Sequence, residues 1–282
     1  MISPPAVLAR RFVAGETAND AIAVGRRLHA RGIKATFDLL GEDVRGREAA
    51  RRSAEANEYL LRLIPPEVER NVSIKLTMMG LDISEDFCLE LVAGILDTAR
   101  QVGGFVRIDM EGSRHTQRTI DAFRKLRLTH DNVGIVLQAY LRRTEDDVKQ
   151  AVARGDRVRI CKGAYKEPPE IAWTKMDDIR ASYRRCAHLL LERGSYPAIA
   201  THDESLIRDA IDFARQKEIA KDRYEFQMLY GLRPRRWDEL VRNGHNVRVY
   251  VPYGTHWFPY FYRRLRERKE NVFFVLKSLM GG

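Results

Sequence analysis

Polar side chains that could do chemistry recur at one kind of position in this sequence, the end of an apolar, strand-like segment. In chain order they are Asp38 and Glu42; Lys75 and Thr77; Asp109 and Glu111; Gln138 and Tyr140; Lys162 and Tyr165; His202, Asp203 and Glu204; Gln227 and Tyr230; and Tyr250 and Tyr253. In a barrel of parallel strands, catalytic groups lie at the C-terminal strand ends. The pattern therefore predicts that these side chains share one face.

A pair of adjacent arginines could bind an anion. Arg263 and Arg264 fall in the first turns of a helix predicted to begin near Pro259. The N-terminus of a helix is the positive end of its dipole, so two cations there are unfavourable unless an anion or a carboxylate offsets them. We predict an anion clamp at the mouth of a site.

Other chemistries fit some of the same residues. A divalent metal ion could bind to Asp109, Glu111, His202 and Asp203. Their carboxylate and imidazole groups are of the type that binds such ions. Lys75 or Lys162 could form a Schiff base if it is desolvated at a strand end. The plainer alternatives are structural ion pairs between strand-end lysines and aspartates, a structural histidine, and a solvated helix face for the arginine pair.

The elements that must position these groups alternate along the chain. Eight strand-like segments occur at 35–40, 72–77, 105–110, 133–140, 157–165, 197–202, 224–230 and 247–251, the last followed by a predicted turn at 252–254. Several are nearly continuous apolar runs, as buried parallel strands are. The intervening stretches have helical periodicity, for example 84–101 and 178–193. This alternation predicts an α/β fold, specifically a (β/α)8 TIM barrel, regular or distorted.

A helical extension is predicted before the first strand. Thr17 and Asp20 form a capping-box pattern, and Gly32 would close the helix that follows. We therefore expect one unit over residues 1–282, with N-terminal helices in 1–34 and the barrel in 35–282. No GxGxxG follows a strand, which disfavours a Rossmann dinucleotide site.

Bulk properties narrow the class of protein. The 282 residues are 44% hydrophobic, with no apolar run of the roughly 18 residues that a membrane span needs. Three scattered cysteines argue against a disulfide framework, so a cytoplasmic protein is expected. The net charge of +10 is spread along the chain rather than concentrated in one module, which disfavours nucleic-acid binding. It suits anionic substrates or an anionic membrane surface.

Nine segments in order resemble the proline dehydrogenase family. They are FDLLGE (37–42), SIKLT (73–77), RIDMEGS (107–113), LQAYLRR (137–143), RICKGAY (159–165), ATHD (200–203), QMLYG (227–231), RVYVPYGTHW (248–257) and FYRRLRER (261–268). Each motif alone is weak, but together they cover nearly the whole chain. The resemblance is to the bacterial monofunctional type, since the sequence ends soon after the eighth helix.

The resemblance implies a barrel that binds FAD non-covalently at its C-terminal strand ends. It also implies oxidation of L-proline to Δ1-pyrroline-5-carboxylate by hydride transfer from C5 to N5 of FAD, the first step of proline degradation to glutamate. Electrons would pass to a quinone. The implied location is cytoplasmic, with peripheral association at the inner face of the membrane left open, and no nucleic-acid partner or metal is implied.

The resemblance also assigns roles residue by residue. Catalytic roles fall on Lys75, Asp109, Tyr250, Arg263, Arg264 and Glu267; substrate contacts on Lys75, Ala164, Tyr165, Leu229, Tyr250, Arg263 and Arg264; and a gate on Glu42. FAD contacts fall on Asp109, Met110, Gln138, Arg159, Lys162, Gly163, Ala164, Thr201 and His202. Lys166 stands where some relatives have an aromatic residue, and the 252–259 loop is shorter than in fused bifunctional relatives. Contacts of the adenine end are therefore not carried over.

The arginine clamp can be tested by substitution. Arg264→Met should raise KM for proline strongly while flavin stays bound, because the carboxylate contact is lost and the flavin contacts are not. Steady-state kinetics and the flavin absorption of the purified variant measure the two effects. Proline kinetics equal to those of the unsubstituted protein would contradict the clamp.

Overall fold

The computed structural model describes residues 11–41 and 44–266 of the chain. The strands are β1 (Lys34–Leu39), β2 (Asn71–Ile74), β3 (Phe105–Ile108), β4 (Val133–Gln138), β5 (Val158–Cys161), β6 (Ala198–Ala200), β7 (Glu225–Leu229) and β8 (Asn246–Tyr253). The helices are α1 (Ala18–His29), α2 (Arg47–Leu63), α3 (Glu85–Gln101), α4 (Ser113–Arg127), α5 (Thr144–Ala153), α6 (Met176–Arg193), α7 (Glu204–Gln216), α8 (Pro234–Arg242) and α9 (Trp257–Arg266), with a 3-10 turn at Lys221–Arg223.

The eight strands form a closed parallel barrel in sequence order, which confirms the predicted (β/α)8 fold. Each strand pairs in parallel with the next, and β1 closes the barrel against β8 from Lys34 opposite Arg248 to Leu39 opposite Tyr253. A closed sheet leaves no unpaired edge. All eight C-terminal strand ends therefore surround one opening, as the positions of the polar residues predicted.

Side chains alternate between the two surfaces of each strand, and the inner surface is largely polar. On β1, Phe37 points outward, where its ring lies against Gly25 of α1. Its neighbours Thr36 and Asp38 therefore point inward, and Thr36 Oγ1 lies 3.1 Å from Ser73 Oγ of β2. The same spacing of two produces polar pairs on five other strands or at positions immediately next to them, at 73/75, 107/109, 157/159, 225/227 and 248/250.

A buried ion network closes the N-terminal end of the barrel. Arg248 donates Nε to Glu225 at 2.8 Å and Nη2 to Glu69 at 2.7 Å, and its Nη1 bonds the carbonyl of Ala35. Burial opposes ionisation of Glu225, but the charge and hydrogen bonds of Arg248 lower its pKa to about 2. The network joins β1, β7 and β8 and satisfies the guanidinium inside the barrel, as a buried charge requires.

The N-terminal extension lies along the side of the barrel. The capping box of Thr17 and Asp20 opens α1 as predicted, and α1 packs against β8 and β1. In a regular barrel the helix after β8 would lie there. Here α9 instead begins over the C-terminal opening, where Tyr260 packs with Phe12 from the extension. The barrel is therefore distorted at its closing unit.

Strand boundaries differ from the sequence prediction at the C-terminal ends. β8 continues through Pro252 and Tyr253, where a turn was predicted, because it remains paired with β1 up to Tyr253, although β7 pairs with it only as far as Tyr250. Beyond that point β8 has a single strand neighbour, so the missing N–H of Pro252 interrupts no second ladder. Other strands end sooner than predicted: β2 stops at Ile74, and β5 at Cys161. No helix in the described part of the chain is long and apolar enough to cross a membrane.

The buried network predicts a pH dependence of stability. The pKa of Glu225 is depressed from 4.5 in the folded state, so its stabilisation is present above about pH 4.5 and is lost as pH falls towards 2. The contribution is about 3 kcal/mol. Glu225→Gln should lower the free energy of unfolding at pH 7 and flatten its fall between pH 5 and 3, measured by urea titration. The exposed control Glu55→Gln should change neither.

Candidate functional site

A cavity of about 1100 Å³ opens at the C-terminal ends of the strands. Every residue that the family resemblance assigns a role, and whose side chain the structure describes, lines it. These residues are Lys75, Asp109, Met110, Gln138, Arg159, Lys162, Gly163, Ala164, Tyr165, Thr201, His202, Leu229 and Tyr250. The strand-end residues Thr77, Glu111, Tyr230 and Tyr253 are not among its lining residues. The beginning of α9 covers part of the opening through His256, Pro259 and Tyr260. The fold thus brings residues from seven strands and their loops to one site.

The floor of the cavity contains an ion pair between β2 and β1. Lys75 donates to Asp38 Oδ1 at 2.7 Å, and both side chains are buried. Burial alone would lower the pKa of Lys75, but the negative charges of Asp38 and Asp109 outweigh it and raise that pKa. Burial also raises the pKa of Asp38, against the opposing effect of Lys75. The short contact favours the ionised pair, which holds a fixed ammonium group at the cavity floor.

A second ion pair lies beside the first. Arg159 Nη1 of β5 donates to Asp109 Oδ1 at 2.7 Å, and Arg159 Nη2 bonds Ser73 Oγ at 3.1 Å. Tyr250 donates its hydroxyl to Asp109 Oδ2 at 2.7 Å, and its ring lies under the guanidinium at 5.4 Å. Burial and Asp109 raise the pKa of Tyr250, so the hydroxyl stays protonated. Two cations and two carboxylates therefore balance across the floor.

Polar groups of β5 and β6 form one wall. Asp203 accepts from Arg180 at 2.8 Å and lies 3.4 Å from Lys162 Nζ. Burial opposes the charge of Asp203, but these cations and Ser205 lower its pKa. His202 Nε2 accepts a hydrogen bond from the backbone N–H of Leu229 at 2.9 Å, which places the ring proton on Nδ1. His202 is thus held by the scaffold while it lines the cavity.

Some predicted residues fall where the structure does not describe their side chains. Glu42 and Glu267 lie outside the described residues, and only the helical backbone is described at Arg263 and Arg264. Those two arginines are the seventh and eighth residues of α9, which begins at Trp257. The prediction that helix dipole effects make them unfavourable is wrong, because the effect fades beyond the first turn.

The geometry argues against the competing chemistries. Glu111 accepts from the N–H and hydroxyl of Thr77, whereas Asp109 is bound by Arg159 and Tyr250. Among residues 11–41 and 44–266, no three His, Cys, Asp or Glu side chains converge as metal ligands. Schiff-base formation requires a neutral amine, and the raised pKa of Lys75 disfavours one.

Sequence reasoning missed several residues of the site. Asp38 was noted only as a strand end, yet it is the partner of Lys75. Glu167, Trp173 and Arg180 also line the cavity, from the β5–α6 connection and α6. Only Asp38 carried a usable signal, its spacing of two from the inward Thr36. The other three lie in a loop and a helix whose path over the site depends on tertiary contacts.

Comparisons with known proteins agree with this geometry. The family model described as proline dehydrogenase matches residues 21–277. The chain belongs to the proline dehydrogenase family. It is 39% identical to proline dehydrogenase 2 of Bacillus subtilis (strain 168), over 97% of this chain and 90% of that protein. It is 37% identical to the proline dehydrogenase of Deinococcus radiodurans, over 98% of this chain and 91% of that one. Members of the family are oxidoreductases, and so is this protein.

A solved structure has the same fold. The crystal structure of proline utilization A (PutA) from Bdellovibrio bacteriovorus, inactivated by N-propargylglycine, superimposes with a TM-score of 0.86 at 27% identity. The match covers 94% of this chain and 33% of that one. The chain therefore spans about a third of that larger protein, and nearly all of the proline dehydrogenases it matches.

The floor ion pair can be tested directly. Asp38→Asn keeps an oxygen that accepts from Lys75 but removes the charge, so burial should lower the pKa of Lys75 by about one unit or more. A 13C NMR titration of lysine-labelled protein measures this, with Lys75→Met assigning the resonance. An unchanged pKa of Lys75 in the Asp38→Asn variant would contradict the proposed electrostatic role of Asp38.

Proposed function

We propose that the protein oxidises L-proline to Δ1-pyrroline-5-carboxylate with FAD bound non-covalently in the cavity. The observation that carries this is the charge-balanced cavity floor of Asp38, Lys75, Asp109 and Arg159, which is surrounded by apolar and aromatic walls. The chain with this floor belongs to the proline dehydrogenase family. The names of the relatives indicate proline as the substrate, and the arrangement of charges is compatible with proline. Residues 1–282 would form a single functional unit.

The substrate side of the cavity suits a small amino acid with a carboxylate. Lys75 has its charge fixed in place by Asp38 and can contact a carboxylate from the floor. Because Asp38 already neutralises Lys75, strong binding of a further anion needs more positive charge. Arg263 and Arg264 would supply it as a bidentate clamp, with Glu267 orienting them and Glu42 closing over the site.

The walls around this position suit a five-membered ring. Tyr250 and Leu229 lie on neighbouring strands, and Ala164 and Tyr165 line the cavity from the β5–α6 connection. Apolar and aromatic walls exclude water and discriminate against larger rings by roughly 1–3 kcal/mol for each added methylene. The hydroxyl of Tyr250 is directed to Asp109, so that ring is held at a fixed angle.

The remaining cavity fits a flavin dinucleotide. The whole cavity, about 1100 Å³, slightly exceeds the roughly 300–1,000 Å³ of ordinary ligand pockets. Gln227 Oε1 and Arg159 Nε are buried polar atoms with no hydrogen-bond partner among the described residues. Gly163 has φ +116°, and a Cβ there would collide with the ring of Tyr140, so only glycine lets this cavity-lining backbone pack against that ring.

The proposed reaction divides the work between the cofactor and this chain. Bound FAD would supply the acceptor of the hydride from C5 of proline. The chain orients the carboxylate through Lys75 and the arginine pair, and holds Arg159, a cation suited to stabilising negative charge on a reduced cofactor, through Asp109 and Ser73. Gln138, Lys162, Thr201, His202 and Met110 would complete the cofactor site. Positive charge beside the substrate would also favour its neutral amine, whose lone pair forms the C=N bond as hydride leaves C5.

Electrons would then pass to a quinone, which is why peripheral association at the inner face of a membrane is part of the proposal. The excess of Lys and Arg over Asp and Glu supports attraction to an anionic surface. A cytoplasmic location accords with the three free cysteines.

The colour of the purified protein tests the proposal. We expect a yellow preparation whose flavin absorption bleaches under anaerobic conditions on addition of L-proline and returns on addition of a soluble quinone. The six-membered analogue L-pipecolate should bleach it at least about tenfold more slowly. A chelator should leave the rate unchanged. A colourless protein that FAD cannot reconstitute would contradict the proposed function.

A further inference from the structure

The β5–α6 connection, residues 162–175, is a long loop that forms part of the cavity wall. It contributes Gly163, Ala164 and Tyr165 to the cavity, the residues proposed above to contact flavin and substrate. Residues on such a loop are positioned only as well as the loop itself is held. The contacts that hold it therefore bear on ligand binding.

One side of the loop is tied to the β4–α5 connection. Leu141 and Ala172 form an isolated antiparallel bridge, and the Arg142 guanidinium lies 4.0 Å from the centre of the Trp173 ring. The backbone N–H of Trp173 also bonds the carbonyl of Tyr140 at 2.7 Å. These contacts fix the C-terminal part of the loop, and they lie several residues from Ala164 and Tyr165.

The other side of the loop is tied to α4 by a carboxylate. Glu167 Oε1 accepts from the backbone N–H of Ser113 at 2.7 Å, and Glu167 Oε2 accepts from the Ser113 hydroxyl at 2.5 Å. The Tyr140 hydroxyl donates to Oε1 at 3.4 Å. We call Glu167, Ser113 and Tyr140 the carboxylate clasp. Ser113 is the first residue of α4, so the charge of Glu167 also meets the positive end of that helix.

We infer that Glu167 is a positioning residue, whose clasp holds the β5–α6 loop over the cavity and so sets the affinity for substrate and flavin. Only one residue, Lys166, separates Glu167 from Tyr165, and the ring of Tyr140 lies directly against Gly163. The clasp therefore fixes both the segment that lines the cavity and the ring on which it rests. This inference rests on the proposed function for the identity of the ligands.

The inference has a specific kinetic signature. If the clasp is lost, the loop occupies its closed position only part of the time. The apparent affinity is then the intrinsic affinity multiplied by the closed fraction. Once the ligand is bound and the loop closed, the reacting groups are arranged as before. Loss of the clasp should therefore raise KM for proline and the dissociation constant for FAD, while kcat stays within about twofold. Mere destabilisation of the fold would reduce the amount of active protein and leave KM unchanged.

The variant Ser113→Pro removes the clasp by changing α4 and not the loop. Proline lacks both the N–H and the hydroxyl that Glu167 accepts, and the first helical position tolerates proline. Gly112 already has φ −59° and ψ 159°, which suits a residue before proline. The loop sequence is unchanged, so trypsin cleavage after the exposed Lys166 and Lys175 reports loop opening in the flavin-loaded enzyme. Glu167→Gln is the second variant, and Glu170→Gln, an exposed acid in the same loop, is the control.

We expect Ser113→Pro and Glu167→Gln each to raise KM for L-proline by about tenfold. The dissociation constant for FAD, measured by flavin fluorescence, should rise by a similar factor. Trypsin cleavage should be faster by a similar factor for Ser113→Pro. Glu170→Gln should match the unsubstituted protein. Unchanged KM, FAD affinity and cleavage rates in the two clasp variants would overturn the inference. If the unsubstituted protein does not oxidise proline, the proposed function fails, and the cleavage rates still test the clasp.

Discussion

The structure depends on the alternation of side chains along eight parallel strands that close into a ring. Alternation directs every second residue into the barrel, and closure leaves that interior no access to solvent except at its ends. Polar residues occupy inward positions in pairs two residues apart, such as Lys75 with Ser73 and Arg159 with Arg157. A buried charge is stable only when it is paired or well hydrogen-bonded. The barrel must therefore balance its interior charges strand against strand.

That balance is achieved separately at the two ends. At the N-terminal end Arg248 meets Glu225 and Glu69, a network that stabilises closure and whose residues do not line the cavity. At the C-terminal end Lys75 meets Asp38, and Arg159 meets Asp109. The second set is rigid for the same reason as the first, but it faces a cavity. A rigid, charge-balanced floor can orient a small zwitterion without rearranging when the ligand binds.

The walls of the cavity are built differently from its floor. The floor belongs to strands and is fixed by the barrel, whereas the walls include a loop and the start of α9. α1 occupies the place beside β8 and β1, and α9 begins over the opening instead. The β5–α6 loop is held by a bridge on one side and by Glu167 on the other. Affinity is thus set where the scaffold is least regular, as is common for sites on loops.

The sequence by itself determined the fold class, the order of the eight strands and the positions of most polar side chains in the cavity. Apolar runs and helical periodicity are local signals. In a closed barrel, the order of the strands along the chain gives the position of each strand end around the opening. Residues such as Lys75, Asp109 and Tyr250 could therefore be placed at one face before any contact was known. Their roles came from the resemblance to the family, since periodicity alone left metal and Schiff-base chemistry open.

Only the tertiary structure decided which of these groups meet. The pairing of Lys75 with Asp38 depends on the register between neighbouring strands, and the extension of β8 through Pro252 depends on where β7 stops. Glu167 is one of many acids in the sequence, and its contact with Ser113 joins residues 54 positions apart. Local patterns report which surface a side chain faces. They carry no information on the long-range contacts that select its partner, because those contacts are fixed by packing of the whole chain.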